Sequence, residues 1–211
     1  MQNQILAALN WRYATKKFAS DKKITEETLV GLLEVLRLSP SSFGLQPWKF
    51  LVIENTEIRK QLHAAAWNQP QVIEASHLIV FCRRTDINEQ LVNAFVESTA
   101  AARGITAQDL SGMQEMIAGF IANATPETLA QWSARQTYIA LGMLLEACAL
   151  QKIDAGPMEG FSKESFDEIL RLPEKHLASV VICALGYRAP DDKYATEAKS
   201  RFTLTEVVTR I

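Results

Sequence analysis

The residue types that most often advertise chemistry are scarce here. Cysteine and histidine occur three times each, and glycine nine times, in 211 residues. Cys82, Cys148 and Cys183 lie far apart inside apolar runs, and none has a second cysteine or a histidine at the spacing a metal needs. They read as buried, inert thiols. His63, His77 and His176 form no His-x-x-x-His pair, so no metal centre is expected. No Gly-x-Gly-x-x-Gly follows a strand-like run and no Gly-x-x-x-x-Gly-Lys occurs, which excludes the common phosphate-cradling loops. A Gly-x-Ser-x-Gly elbow is missing as well, and no histidine is placed in sequence to serve Ser41 or Ser42 as a base. Glu26-Glu27 falls at a helix start, where the dipole already accounts for it. An enzyme made of these residues would lean on a bound cofactor, and no side chain is assigned a catalytic role.

Charge of either sign is also unremarkable. Lys plus Arg number 22 against 24 Asp plus Glu, a net charge of −2, which gives no electrostatic reason to expect nucleic acid or an anionic membrane as partner. No apolar run reaches transmembrane length, and the first residues lack the basic-then-apolar pattern of a secretory signal. The expectation is a cytoplasmic protein with a small-molecule substrate. Its length suits one domain, residues 1–211, with a substantial core.

Helical periodicity dominates what is present. Thr25 is placed to cap a helix whose first turn holds Glu26 and Glu27, and Leu29, Leu32, Leu33 and Leu36 give it one apolar face. Further helices are predicted over 2–9, 56–66, 87–103, 107–122 and from Pro126 to Leu150, with another around Phe166–Leu170. The stripe Trp132, Tyr138, Leu141, Leu144, Leu145 and Cys148 reads as core or subunit interface. Strands are predicted at 48–53, 77–82 and 177–185, the last two being continuous apolar runs of the kind buried on both faces. Phe202–Val208 has strand propensity but no hairpin partner, so it is expected on another subunit or wrapped over the surface. Few strands separated by helices predict α+β architecture, with a mixed central sheet inside a helical shell.

Several loops carry candidate ligand groups. Between the helix ending at Ser39 and the strand starting at Trp48 lie Pro40, Ser41, Ser42, Phe43, Gly44, Leu45, Gln46 and Pro47. The two prolines stiffen this corner, which is either an ordinary turn or a donor-rich ligand loop. In Trp11–Phe18, three cations interleave with aromatics. Alone, that pattern serves as a solvated turn, and the alternative is an anion site with Arg12 and Lys16 as contacts. Asn68 and Gln71 could hydrogen-bond the edge of a heterocycle. In Pro157-Met158-Glu159-Gly160, glycine beside proline lets backbone amides approach a ligand closely.

Five stretches, taken in order, resemble the FMN-dependent nitroreductases: Arg12-Tyr13-Ala14-Thr15-Lys16; Pro40-Ser41-Ser42 with Gln46-Pro47-Trp48; Asn68 ahead of Ala75-Ser76-His77; Pro157–Phe161; and Lys199-Ser200-Arg201. The oxygen-insensitive NAD(P)H nitroreductase and dihydropteridine reductase branch is the most similar. The resemblance implies a nitroreductase-like α+β homodimer with two FMN sites at its interface and a C-terminal arm exchanged between subunits. It implies that Arg12, Lys199 and Arg201 hold the phosphate, with Tyr13 and Ala14 in the same segment. Lys16 and Asn68 would sit at the pyrimidine edge, and the backbone of Glu159 and Gly160, after Pro157 and Met158, would donate to flavin N5. Pro40, Ser41 and Ser42 would come from the other subunit. Two positions depart from that branch: Gly44 stands where asparagine is frequent, and Gln71 where a lysine is usual. The implied activity passes two electrons from NADH or NADPH through FMN to a nitroaromatic, quinone or similar acceptor by a ping-pong mechanism. Phe43 and Phe120 are candidates for the pocket wall, Phe120 being equally a core residue. The alternatives are an FMN store or sensor without turnover, and a family enzyme with another reductive reaction, on a flavin, an enone or a halogenated substrate.

Overall fold

The computed structural model describes residues 2–211. It opens with α1 (Gln2–Trp11) and α2 (Glu26–Leu38), followed by β1 (Trp48–Ile53), α3 (Thr56–Ala65), the single turn α4 (Gln71–Glu74) and β2 (His77–Arg84). Three helices come next, α5 (Glu89–Arg103), α6 (Ser111–Asn123) and the long α7 (Pro126–Leu150). The chain then forms β3 (Asp154–Met158), α8 (Lys163–Ile169), β4 (Leu177–Gly186) and a last turn, α9 (Leu204–Val207).

Local chemistry sets most of these boundaries. Thr25 accepts from Thr28 N to start α2, and the helix stops at Ser39, whose extended backbone is what Pro40 demands. Thr125 caps α7 with Pro126 in the first turn, where its missing N–H costs nothing. Gly104 ends α5 in the left-handed conformation at φ 66°.

The four strands form one sheet in the order β1-β2-β4-β3. Every ladder is antiparallel, so the sheet is not the mixed one expected. Intervening helices suggested parallel crossovers. Here, however, two helical segments separate β1 from β2, and α8 with a further turn separates β3 from β4, so the chain reverses before it rejoins the sheet. The one parallel pairing is an isolated bridge, Ala14 to Ala155, on the outer edge of β3.

Side chains alternate across the sheet, and both faces are covered. Leu78, Val80 and Cys82 of β2 pack with Leu62, Val72 and Phe166 beneath α3 and α8. Ile79 and Phe81 point the other way, into Leu29, Leu32, Leu36, Leu144 and Cys148 of α2 and α7. This double burial explains the continuous apolar runs even though the sheet is antiparallel. A third cluster, with Val92, Val96, Ile117 and Trp132, joins α5, α6 and the start of α7.

Two further expectations change. Asp154–Met158 is a strand that its Gly156-Pro157 pair disguised; its ladder is with β4, its outer edge carries just the Ala14 bridge among the described residues, and proline is tolerated on such an edge. Phe202–Val208 is no strand within this chain. A Thr203–Glu206 capping box turns it into α9, and residues 201–211 are all exposed. Among the described residues no helix is long and apolar enough to cross a membrane.

Candidate functional site

The ends of the chain meet around a cavity of ≈ 450 Å³ lined by Arg12, Tyr13, Ala14, Lys16, Lys199 and Arg201, among others. Arg12 follows directly on the last turn of α1, its N–H donating to Ala8 O at 3.0 Å. Lys199 reaches across from the C-terminal tail. Its Nζ donates to Leu9 O at 2.6 Å and to Arg12 O, satisfying carbonyls at the end of α1. An ammonium has three N–H groups, so one remains for a ligand. Among the described residues Arg201 donates only to the carbonyl of its neighbour Ser200, at 2.6 Å.

The electrostatics of this cavity are those of an anion site. Burial holds the Arg12 guanidinium below its usual pKa, and Arg201 adds to the shift. Lys199 is lowered too, by burial first and then by Arg12 and Arg201. Like charges are thus gathered: Arg201 disfavours the charge on Arg12, and both disfavour the charge on Lys199. Arg12 Nε is buried without a hydrogen-bond partner among the described residues. A multiply charged anion would relieve both conditions.

The N-terminal segment is tied along β3. Thr15 Oγ1 donates to the buried Asp154 at 3.2 Å, and Thr15 O lies 2.9 Å from where a Cβ on Gly156 would stand, so only glycine allows this approach. Arg188 donates to Asp154 from its backbone N at 2.8 Å and its Nε at 2.9 Å. Its guanidinium lies 4.2 Å from the Trp11 ring and 4.6 Å from that of Tyr13, a cation–π clamp around Arg12. Because the Ala14–Ala155 bridge is parallel, the run from Arg12 to Lys16 points the same way as β3. The cations therefore stand near the start of that run, and Glu159 and Gly160 stand beyond its end.

At that far end a second loop arrives. Gln69 Nε2 donates to Gly160 O at 2.6 Å. A Cβ on Gly160 would lie 2.8 Å from the ring of Trp67. Trp67 and Asn68 are both left-handed, at φ 55° and 56°, which turns this loop back toward Glu159–Gly160. Asn68 is exposed, whereas Gln71 is buried at the first residue of α4 with its Oε1 unpartnered among the described residues. Tyr138 Oη donates to Glu159 Oε1, and burial together with that carboxylate pushes the phenol above its usual pKa. Tyr138, part of the α7 stripe expected as core or subunit interface, is 38% exposed in this chain and bonds to the Glu159 loop.

The proline corner lies elsewhere. Ser42 N donates to Gln136 Oε1 at 2.8 Å. Gln136 and Tyr138 are two residues apart on α7, about 200° around its axis. The corner and Glu159 thus hold α7 from opposite sides, and within one chain Pro40, Ser41, Ser42 and Gly44 do not join the cavity or the Glu159 loop. Phe43, at φ 60°, stacks with Phe120 (5.4 Å) and Trp132 (6.3 Å) in the third core cluster. The cysteines stay buried, with burial pushing the Cys82 and Cys148 thiols up to about 12.

Sequence reasoning missed Tyr138, Trp67 and Arg188 as members of this region. Each works through a partner distant in the chain, and only the unusual Trp67–Gln71 composition offered a local signal.

Residues 9–187 match the family model described as the Nitroreductase family. A Staphylococcus saprophyticus protein named "Putative NAD(P)H nitroreductase" is 37% identical over 204 residues, covering 92% of each chain. One of the same name from Staphylococcus epidermidis is 37% identical over 208 residues, again 92% of each. Among solved structures, a nitroreductase-like protein from Streptococcus mutans superposes with TM-score 0.86 at 20% identity over the whole of both chains. An Exiguobacterium sibiricum protein crystallised in complex with FMN gives 0.84 at 22% identity over 98% of this chain and 97% of its own. At those identities the likeness shows a shared fold.

Proposed function

Since the chain belongs to the nitroreductase family, we propose that it is an FMN-dependent oxidoreductase that uses NADH or NADPH. The observation that carries this reading is the cavity where Arg12, Lys199 and Arg201 meet from opposite ends of the sequence. Three crowded cations and an orphaned buried N–H suit a phosphate monoester.

Bound FMN would supply the two-electron chemistry, alternating between NADH or NADPH and a nitroaromatic, quinone or similar acceptor. This chain's residues bind and orient it. Arg12, Lys199 and Arg201 would hold the phosphate, beside Tyr13 and Ala14. Lys16 and Asn68 would face the pyrimidine edge, and the Glu159–Gly160 backbone after Pro157 and Met158 would donate toward N5. Tyr138 and Gln69 keep that backbone in place through Glu159 and Gly160 O. Gln71 brings a neutral amide to this end, not a cation.

Residues 1–211 act as one domain, and two copies make the working unit in the cytoplasm. Ile139, Met143 and Leu150 of α7 and Ile5, Leu6 and Leu9 of α1 are exposed apolar residues that a second copy would cover. Phe202, at 79% exposure, and Leu204 would travel with the tail onto that copy, whose β1 has an open outer edge. Pro40, Ser41, Ser42 and Gly44 would reach the flavin from across this interface.

The test is anaerobic. Protein loaded with FMN should lose the flavin's visible absorption on addition of NADH or NADPH, and recover it stoichiometrically on addition of a nitroaromatic or quinone. A protein that binds FMN but is never bleached by either nucleotide contradicts an oxidoreductase.

A further inference from the structure

The cations of the cavity are carried by two segments nearly the whole chain apart, and a third group decides how they meet. Asp192 is 4% exposed. One carboxylate oxygen, Oδ2, accepts from Tyr13 Oη at 2.8 Å, Lys16 N at 3.0 Å and Lys17 N at 3.1 Å. The other, Oδ1, accepts from Tyr194 N at 3.1 Å and so caps the turn Lys193–Thr196 that leads into Lys199 and Arg201. One side chain thus fixes the segment bearing Arg12 and Lys16 against the segment bearing Lys199 and Arg201. Asp192 does not line the cavity itself.

We infer that Asp192 is a positioning residue for phosphate recognition: it assembles the cations of the cavity before ligand arrives, so that preference for a phosphorylated flavin over its dephosphorylated form depends on it. This rests on the FMN reading above and adds to it the residue on which phosphate selectivity turns.

The physical case is that the assembly opposes itself. Arg12, Lys199 and Arg201 repel one another when gathered, and Arg12 and Lys199 lose solvation on entering the cavity. A buried carboxylate accepting four hydrogen bonds counters that tendency, because bonds to an ionised acceptor are among the stronger ones. Other ties hold the same segment: Lys199 Nζ donates to Leu9 O and Arg12 O, Thr15 Oγ1 donates to Asp154, and the Arg188 guanidinium lies over the Tyr13 ring. Ala189 N donates to Lys17 O at 3.0 Å and Ala19 N to Tyr187 O at 2.8 Å, which keep residues 17–19 on the end of β4. They do not reach Tyr13 or Lys16. Losing Asp192 should therefore loosen the turn that leads into Lys199 and Arg201 against Tyr13 and Lys16, while the remaining ties keep the fold and the sheet intact.

Asp192→Asn preserves shape and removes charge. An amide offers one acceptor oxygen, so whichever way it turns, its NH₂ faces an N–H or O–H donor. The experiment titrates parent, Asp192→Asn and Tyr13→Phe proteins with FMN and with riboflavin, following flavin fluorescence. The parent should bind FMN more tightly than riboflavin, and a parent that binds neither overturns the FMN reading whatever Asp192 does. With a parent that binds, Asp192→Asn should lower FMN affinity about tenfold or more while riboflavin affinity stays put. Tyr13→Phe, which deletes one of the four donors, should lower the FMN-to-riboflavin ratio severalfold. An unchanged ratio in Asp192→Asn, or equal weakening of both ligands, overturns the inference, because a general structural role moves both together. If Asp192→Asn does not fold, Asp192→Glu, which keeps the charge but displaces the accepting oxygens of a side chain outside the cavity, decides on the same ratio: a fall supports the inference and an unchanged ratio overturns it.

Discussion

Two polar regions of this molecule use their hydrogen-bonding groups in opposite ways. Around Arg12, groups are left over. Among the described residues its Nε has no partner and Arg201 bonds only to Ser200 O, and burial and mutual repulsion depress the pKa of Arg12 and Lys199. At the corner Ser41–Gln46, groups are consumed. Ser41 Oγ accepts from Gln46 N at 2.9 Å, Gln46 Nε2 donates to Arg37 O at 2.9 Å, and Gly44 N donates to Ser41 O at 2.8 Å. The first region is poised for a charged ligand. The second has its internal needs met and presents a fixed shape, so it contributes geometry more than charge. That division sets the expected size of each perturbation.

The largest effect should come from the cavity. Arg201→Ala removes a charge-assisted contact worth roughly 1.5–3 kcal/mol, a loss of about ten- to a hundredfold in FMN affinity. Arg201 is exposed, so the apoprotein should keep its circular dichroism and unfolding midpoint. Unchanged affinity on titration would leave the tail cation as solvated charge.

A smaller effect is expected where charge meets the ring edge. Lys16→Met would take away the cation proposed for the pyrimidine edge, where it would favour the reduced, more anionic flavin. At about 4 Å and an effective dielectric near 20, the gross attraction is roughly 4 kcal/mol. That bounds the shift near ~90 mV for two electrons, and solvent screening should leave a potential lowered by tens of millivolts. A redox titration within a few millivolts of the parent would move Lys16 away from the flavin.

At the corner the loss should be smaller still. Ser41→Ala deprives Gln46 N of its acceptor, about 0.5–1.5 kcal/mol of local order, and should cost FMN affinity only severalfold. A loss as large as that of Arg201→Ala would erase the contrast between the regions.

The mildest probe is acid. Burial alone would raise the Asp192 pKa, but hydrogen bonds from Tyr13, Lys16 N, Lys17 N and Tyr194 N outweigh it and hold the carboxyl below its usual range. A group depressed in the folded state stabilises above its unfolded pKa, near about 4, and that stability is lost as pH falls from there through the folded value. Urea midpoints should therefore fall more steeply below about pH 4 in the parent than in Asp192→Asn. Parallel curves would remove the carboxylate from the account.

Much of the frame was legible because its signals are local. Thr25, Pro126 and Gly104 mark helix ends through their own backbone preferences, and the runs at 77–82 and 177–185 announce buried strands. β3 was not legible, since Gly156-Pro157 looks like a loop until β4 pairs with it. The tail's β-branched residues suggested a strand, whereas the local capping box at Thr203 and Glu206 prevails in this chain. The site divides similarly. Arg12, Lys199 and Arg201 were nameable and do meet in one cavity. Asp192 was not, because its donors at Tyr13, Lys16 and Lys17 lie some 175 residues away and no spacing rule reaches that far.

The central claim is that the cations of one copy and the corner of another complete each FMN site. It is tested most directly by mixing two defective proteins. Arg201→Ala spoils the cations and Ser41→Trp obstructs the corner, so each variant alone should bind FMN poorly. After subunits exchange, a mixed dimer holds one doubly damaged site and one wholly intact site, and random pairing leaves about one site in four intact. The account predicts that tight FMN binding returns on mixing, at about that stoichiometry. A mixture that binds no more FMN than its two components measured separately would contradict it, and would place cations and corner in the same copy or leave the corner outside the site.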